Sequence, residues 1–137
     1  MISNIKLIKK MIRSNVKQIY LSTGFSSYTD IKNILKKINK KKINLIHTSF
    51  KKNFKDINLS RIHLLKKKFG LPVAYGNHSK FLKSIPNSVF FKPSSIFFYV
   101  KLNKNLSYPD NLHAIKINSV SSILKNVKEN ETKLGKY

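Results

Sequence analysis

The sequence predicts an α/β fold of parallel βα units, and three observations carry that expectation. Short apolar runs alternate along the chain with stretches whose apolar residues recur every three or four positions. The runs are near-continuously apolar, as in strands buried on both faces of a parallel sheet. The chain has 137 residues, no Gly/Ser-rich linker and no close internal repeat, so a single domain over residues 1–137 is expected.

Taken in order, Ile5, Ile8 and Ile12 form an amphipathic helical stripe, followed by a β-like run from Val16 to Leu21. Ile31, Ile34, Leu35 and Ile38 mark a second helix, with Ser27 as its N-cap and Asp30 closing a capping box. Ile43-Asn44-Leu45-Ile46 reads as a buried strand. Leu59, Ile62, Leu65 and Phe69 give a third helix, with Asp56 or Asn58 near its start and Gly70 at its end. Leu71 to Tyr75 is a strand whose early Pro72 is tolerated at a first position. Segment 79–93 is poorly defined, and Pro86 limits any helix there to about a turn and a half. Ile96 to Leu102 is the most apolar strand, residues 103–118 read as a loop around Pro109-Asp110-Asn111, and Val120 to Leu134 forms a long final helix before Gly135.

Composition narrows the function. Nine Phe and 41% hydrophobic residues are too apolar for a disordered basic tail. No run approaches a membrane span, and MISNIKLIKK lacks the apolar block of a signal peptide, so a cytoplasmic protein is expected. The absence of cysteine excludes disulfides, thiolate metal sites and a thiol nucleophile. The net charge of +23 invites a nucleic-acid reading, yet only Arg13 and Arg61 among 28 basic residues carry the guanidinium that reads phosphate and guanine bidentately. Lys, Asn, Ile, Phe and Tyr, all encoded by A/T-rich codons, fill 73 of the 137 positions. Base composition is the reading preferred over selection for an anionic polymer, and the lysines are spread over all the helices.

Ligands of parallel α/β folds gather at the carboxyl ends of the strands. Ser22-Thr23-Gly24, His47-Thr48-Ser49 and Gly76-Asn77-His78-Ser79 fall there. Small hydroxyl residues beside glycine can hold an anion. His78 is a candidate metal ligand, against the alternative of a surface imidazole, and His47 reads as an inward-facing residue.

These segments resemble the N-acetylneuraminate (sialic acid) synthase family. Leu21-Ser22-Thr23-Gly24-Phe25 is similar to that family's STGM strand end, and Ile46-His47-Thr48-Ser49 to its LHCTS segment, with Asp56, Asn58 and Leu59 following at matching spacing. Residues 69–79, FGLPVAYGNHS, resemble FGLPVGYSDHT; residues 102–110, LNKNLSYPD, resemble LDKNLPGPD; Leu134-Gly135 ends the last helix as in the family. The resemblance covers nearly the whole chain in order. It implies four parallel βα units equivalent to the second half of a (β/α)₈ TIM barrel, strands five to eight; the antifreeze-like domain common in the family is expected to be missing from residues 1–137. It further implies condensation of phosphoenolpyruvate with an N-acylated amino sugar, releasing phosphate, assisted by divalent Mn or Mg that polarises the sugar carbonyl.

By resemblance Ser22 and Ser49 line the phosphoenolpyruvate pocket, Asp110 contacts the sugar and His78 binds the metal. The alternative for both serines is a hydroxyl satisfying local backbone groups. The chain departs from the pattern elsewhere. Tyr99 stands where the family has its second metal histidine, Gly76 and Asn77 replace a serine and an aspartate, and Asn111 replaces a histidine. His78 is then one histidine without a neighbouring carboxylate, and the metal site is incomplete. The family's catalytic glutamate and phosphoenolpyruvate lysines belong to the first four strands, so no catalytic residue is assigned here. Four strands leave two open edges, and Ile96, Phe97 and Phe98 need a cover. A complementary half-barrel or self-association is therefore expected, the alternatives being an inactive truncated remnant, a partner-binding fragment or, on charge alone, a nucleic-acid-binding module.

Overall fold

The computed structural model describes residues 4–50, 53–102 and 110–135. Helix α1 (Ile5–Arg13) starts at Asn4, whose side chain accepts from the Leu7 N–H at 3.1 Å, and it buries Ile8. Its last carbonyls are satisfied from outside the helix: the Lys42 ammonium donates to Ile12 and Ser14 at 3.2 and 2.9 Å. Strand β1 (Ile19–Ser22) begins later than the apolar run suggested, and Val16 is left 38% exposed. Helix α2 (Tyr28–Leu35) has the expected capping box. The Ser27 hydroxyl accepts from the Asp30 N–H, and the Asp30 carboxylate accepts from the Ser27 N–H.

Strand β2 (Ile43–Thr48) leads into a 3-10 turn, Phe54–Ile57. Helix α3 (Arg61–Phe69) starts later than expected, because Asn58 adopts a left-handed conformation (φ 51°) that turns the chain first. Gly70 then ends the helix with φ 63°, the conformation that favours glycine. Strand β3 (Val73–Gly76) is followed by helix α4 (Ser84–Ser88) and a 3-10 turn, Val89–Phe91, a short helical stretch of the length Pro86 allows. The expected strand over 96–102 is broken into β4 (Ile96–Phe97) and β5 (Val100–Lys101). Part of the expected loop is ordered as well: β6 (Ile115–Lys116) pairs in parallel with β5, and helix α5 (Ile117–Lys133) follows directly. The Pro109 end of the expected turn lies outside the described residues.

Strands β1 to β4 form one parallel sheet in the order β1-β2-β3-β4. Side chains alternate across it. Ile19, Leu21, Ile43, Leu45, Val73 and Tyr75 point to the helices and form the core. Tyr20, Ser22, Ile46, Thr48, Gly76 and Phe97 share the other face by register: Ser22 lies opposite Ile46, Thr48 opposite Gly76, and Gly76 opposite Phe97. That face is concave. In a flat sheet the first and fourth strands lie three spacings, about 14 Å, apart. Here the Tyr20 and Phe97 rings meet edge to face at 5.0 Å, and the Tyr20 hydroxyl lies 3.3 Å from Ser95 Oγ. The sheet is curled like an arc of a barrel. Among the described residues no helix is long and apolar enough to cross a membrane.

Alternation also corrects the reading of His47. It belongs to the helix-facing set rather than the concave face, is buried, and its Nε2 lies 2.9 Å from the Ile57 carbonyl. Burial pushes its pKa below the usual 6.5, only partly offset by the carbonyl. The unfolded chain thus binds a proton at His47 before the folded one does, so stability falls as pH drops below about 6.5. Thermal melts between pH 7.5 and 5.5 are expected to show a falling Tm, and His47→Gln is expected to flatten that dependence.

The carboxyl end of β3 is anchored by a buried polar network. Asn77 Oδ1 accepts from the Ser84 hydroxyl at 3.0 Å and lies 3.2 Å from the Tyr75 hydroxyl, while Nδ2 donates to the Ser79 carbonyl at 3.0 Å. Tyr75 and Ser84 hydroxyls are themselves 2.9 Å apart. Asn77→Ala strands these buried groups a partner short, at a cost of about 1–3 kcal/mol. The expected readout is a lower urea midpoint with an unchanged m value.

Candidate functional site

The concave face opens at the carboxyl ends of the strands into a cavity of about 410 Å³, lined in part by Ser22, Thr48, Gly76, His78, Phe97 and Tyr99. Parallel strands place these residues together because every strand ends at the same rim. Ser22 is exposed there, and its hydroxyl donates to Thr48 Oγ1 at 3.3 Å. Gly76 has a packing reason to replace a larger residue. A Cβ there would come within 2.9 Å of Thr48 Oγ1 and 3.0 Å of Ile46 Cγ2.

The serines part company. Ser49 is not among the residues lining this cavity; it is nearly buried, and its hydroxyl donates to the Asp56 carbonyl at 3.2 Å, bracing the 3-10 turn. Thr23 also faces inward, its hydroxyl donating to the Ile46 carbonyl at 2.9 Å. The hydroxyl pair at the rim is therefore Ser22 with Thr48, a residue the sequence reading placed in a strand-end cluster without giving it a role.

His78 is not isolated. Its Nε2 lies 3.4 Å from Asp110 Oδ1, and His113 Nε2 lies 3.3 Å from the same oxygen. The two imidazole rings are 4.0 Å apart between centroids. One donor atom from each of His78, Asp110 and His113 lies within 4.8 Å of the others. The expectation of a histidine without a carboxylate is thus overturned, because the chain returns after β5 and lays the turn at 110–113 against the end of β3. Asp110 holds that turn in a left-handed conformation (φ 61°), its carbonyl accepting from the His113 and Ala114 N–H groups at 3.0 Å. His113 escaped the sequence reading. The signal available was its i+3 spacing from Asp110 in turn-forming sequence, which sets both side chains on one side of a turn.

Aromatic rings wall the cluster: His78 packs on Phe50 at 4.6 Å and edge-on to Tyr99 at 5.4 Å. Burial, and then the neighbouring His113, push the His78 pKa down, with Asp110 opposing them. The neutral imidazole so favoured keeps a lone pair for a cation or a proton donor. Hydroxyl donors, imidazoles and a carboxylate at one rim can grip an anionic, oxygen-rich molecule, and the His/Asp/His donor set fits a divalent cation.

Comparison with known proteins bears on the fold and the family. The N,N'-diacetyllegionaminic acid synthase of Campylobacter jejuni is 28% identical over 141 residues, covering 98% of this chain and 42% of that protein. A crystal structure of N-acetylneuraminic acid synthetase from Leptospira borgpetersenii superposes with a TM-score of 0.87 at 25% identity, over 98% of this chain and 48% of that one. A truncated 3-deoxy-D-arabino-heptulosonate 7-phosphate synthase from Thermotoga maritima shares the fold, with a TM-score of 0.78 at 17% identity, 98% of this chain and 56% of that one. The chain thus spans about half the length of these relatives, and its fold is the corresponding arc of a TIM-type barrel. The NeuB family model matches residues 1–137, from end to end, and the chain belongs to the NeuB family.

Proposed function

We propose that this chain supplies the second half of a nonulosonic acid synthase barrel, one that condenses phosphoenolpyruvate with an N-acylated amino sugar and releases phosphate. The observation that carries this reading is the convergence of Ser22, Thr48, His78 and Asp110 on one rim within a chain matched throughout by the family model. In this reading the Ser22 and Thr48 hydroxyls donate to the carboxylate or phosphate oxygens of phosphoenolpyruvate. Asp110, 36% exposed, accepts from a sugar hydroxyl or shares in holding a metal. Ser49 acts at one remove, fixing the turn behind the rim. His78, Asp110 and His113 would hold a divalent cation, which when bound supplies Lewis-acid polarisation of the sugar carbonyl.

Activity further requires the other half of the barrel, on the same polypeptide or a separate one. Outer edges of β1 and β4 have no strand partner among the described residues, Phe97 is 41% exposed, and Ile117 and Leu124 of α5 lie open to solvent. These surfaces suit a complementary half-barrel, with a second copy of this chain as the alternative occupant. A second reading, a partner-binding piece without catalysis, is favoured by the same surfaces together with Tyr99 and Asn77 at the rim.

Mixing this chain with a complementary first half from a family synthase tests the proposal. Phosphate release that needs both halves, phosphoenolpyruvate and an N-acyl mannosamine-type sugar is the expected result; a stable complex without turnover would favour the second reading. In the active mixture, Ser22→Ala is expected to raise KM for phosphoenolpyruvate about tenfold, the cost of one hydrogen bond to a charged oxygen.

A further inference from the structure

We propose that Lys101 is a positioning residue: by gripping Asn111 it holds the turn at 110–113 against the end of β3 and so keeps Asp110 at the rim. The role rests on the reading in which Asp110 accepts from a sugar hydroxyl. Backbone geometry shows why a hold is needed. Asp110 has φ 61°, a left-handed conformation that a residue other than glycine keeps only when its surroundings enforce it. Burial does not enforce it here, because Asp110, Asn111 and Leu112 are all exposed, Leu112 to 87%.

Polar contacts therefore have to hold the turn, and their lengths rank them. His78 Nε2 and His113 Nε2 lie 3.4 and 3.3 Å from the Asp110 carboxylate, beyond the usual range of an N–H···O bond. The Lys101 ammonium donates to both oxygens of Asn111, at 2.8 Å to the backbone carbonyl and 2.6 Å to Oδ1. Short bonds from a charged donor are the stronger kind. Lys101 is itself well fixed: with Val100 it forms β5, which pairs with β6, and the Ile115 N–H donates to the Tyr99 carbonyl at 2.8 Å. The same strand thus anchors the far end of the return segment and clasps its exposed front. A histidine, which the family pattern has in place of Asn111, carries no side-chain oxygen, so the Oδ1 half of the clasp belongs to this chain.

Hydrogen exchange on the full chain, without substrate, tests the hold. The His113 and Ala114 N–H groups donate to the Asp110 carbonyl, so their protection reports whether the turn is in place. Lys101→Met, which keeps the apolar stem, is expected to speed their exchange about tenfold and to leave the Leu45 and Tyr75 amides of β2 and β3 unchanged. Asn111→Ala, at an exposed position, is expected to give part of that effect. Combining the two is expected to do no more than Lys101→Met alone, because both remove one clasp. Unchanged exchange at His113 and Ala114 in both single variants, or acceleration spread equally over β2 and β3, would overturn the proposal. In the assembled barrel, Lys101→Met is expected to raise KM for the amino sugar about tenfold. KM for phosphoenolpyruvate, whose hydroxyl donors Ser22 and Thr48 sit on β1 and β2, is expected to stay unchanged. No rise for the sugar, or an equal rise for phosphoenolpyruvate, would overturn the positioning role. Absence of turnover in every mixture counts against the condensation reading alone, since the exchange result is scored without it.

Discussion

A parallel sheet has two faces to bury and two edges to close, and the rest of this structure follows from how that is met. Helices α2 and α3 cover one face, where Leu45, Ile62 and Leu65 are fully buried. The other face cannot be covered by the same helices, so the sheet curls, and Tyr20 on the first strand reaches Ser95 and Phe97 across the arc. Curling narrows the concave face but does not close it. Phe97, Tyr99 and Val100 remain substantially exposed, and β1 and β4 keep outer edges without a strand partner among the described residues. Closure abolishes such edges in complete barrels, which is why the arc calls for a cover.

The same curl builds the site. It draws the strand ends toward one rim and lets the segment after β5 return over the end of β3. His78 then meets Asp110 and His113, from a segment more than thirty positions later. Departures from the family pattern sit in this frame with physical reasons. Gly76 leaves room for Thr48 and the branched Ile46, and Asn77 can both donate and accept within a buried network that a carboxylate could only accept from.

What was legible in the sequence was what local rules decide. Ser27 with Asp30 marked the start of α2, Gly70 the end of α3, and the apolar runs at 43–46 and 71–75 marked two buried strands. Less legible were features decided by tertiary partners. β6 is two residues long and exists because Val100 and Lys101 lie beside it, so no periodicity announces it. The run at 96–102 is apolar throughout, yet it breaks after Phe97 because β5 pairs with β6 instead of extending the main sheet. His47 alternated to the helix side only once the register was known, and Ser49 was claimed by the carbonyl of Asp56. His113 needed the fold outright, since its meaning comes from His78 across the return.

The central proposal is that this arc is completed by the other half of a barrel, on the same polypeptide or a separate one. Size-exclusion chromatography with light scattering, on the chain alone and with a complementary half-barrel, measures it most directly. Self-association of the chain alone, replaced by a defined one-to-one complex on adding the other half, is the predicted result. A monodisperse monomer that melts cooperatively and ignores the added half would contradict it.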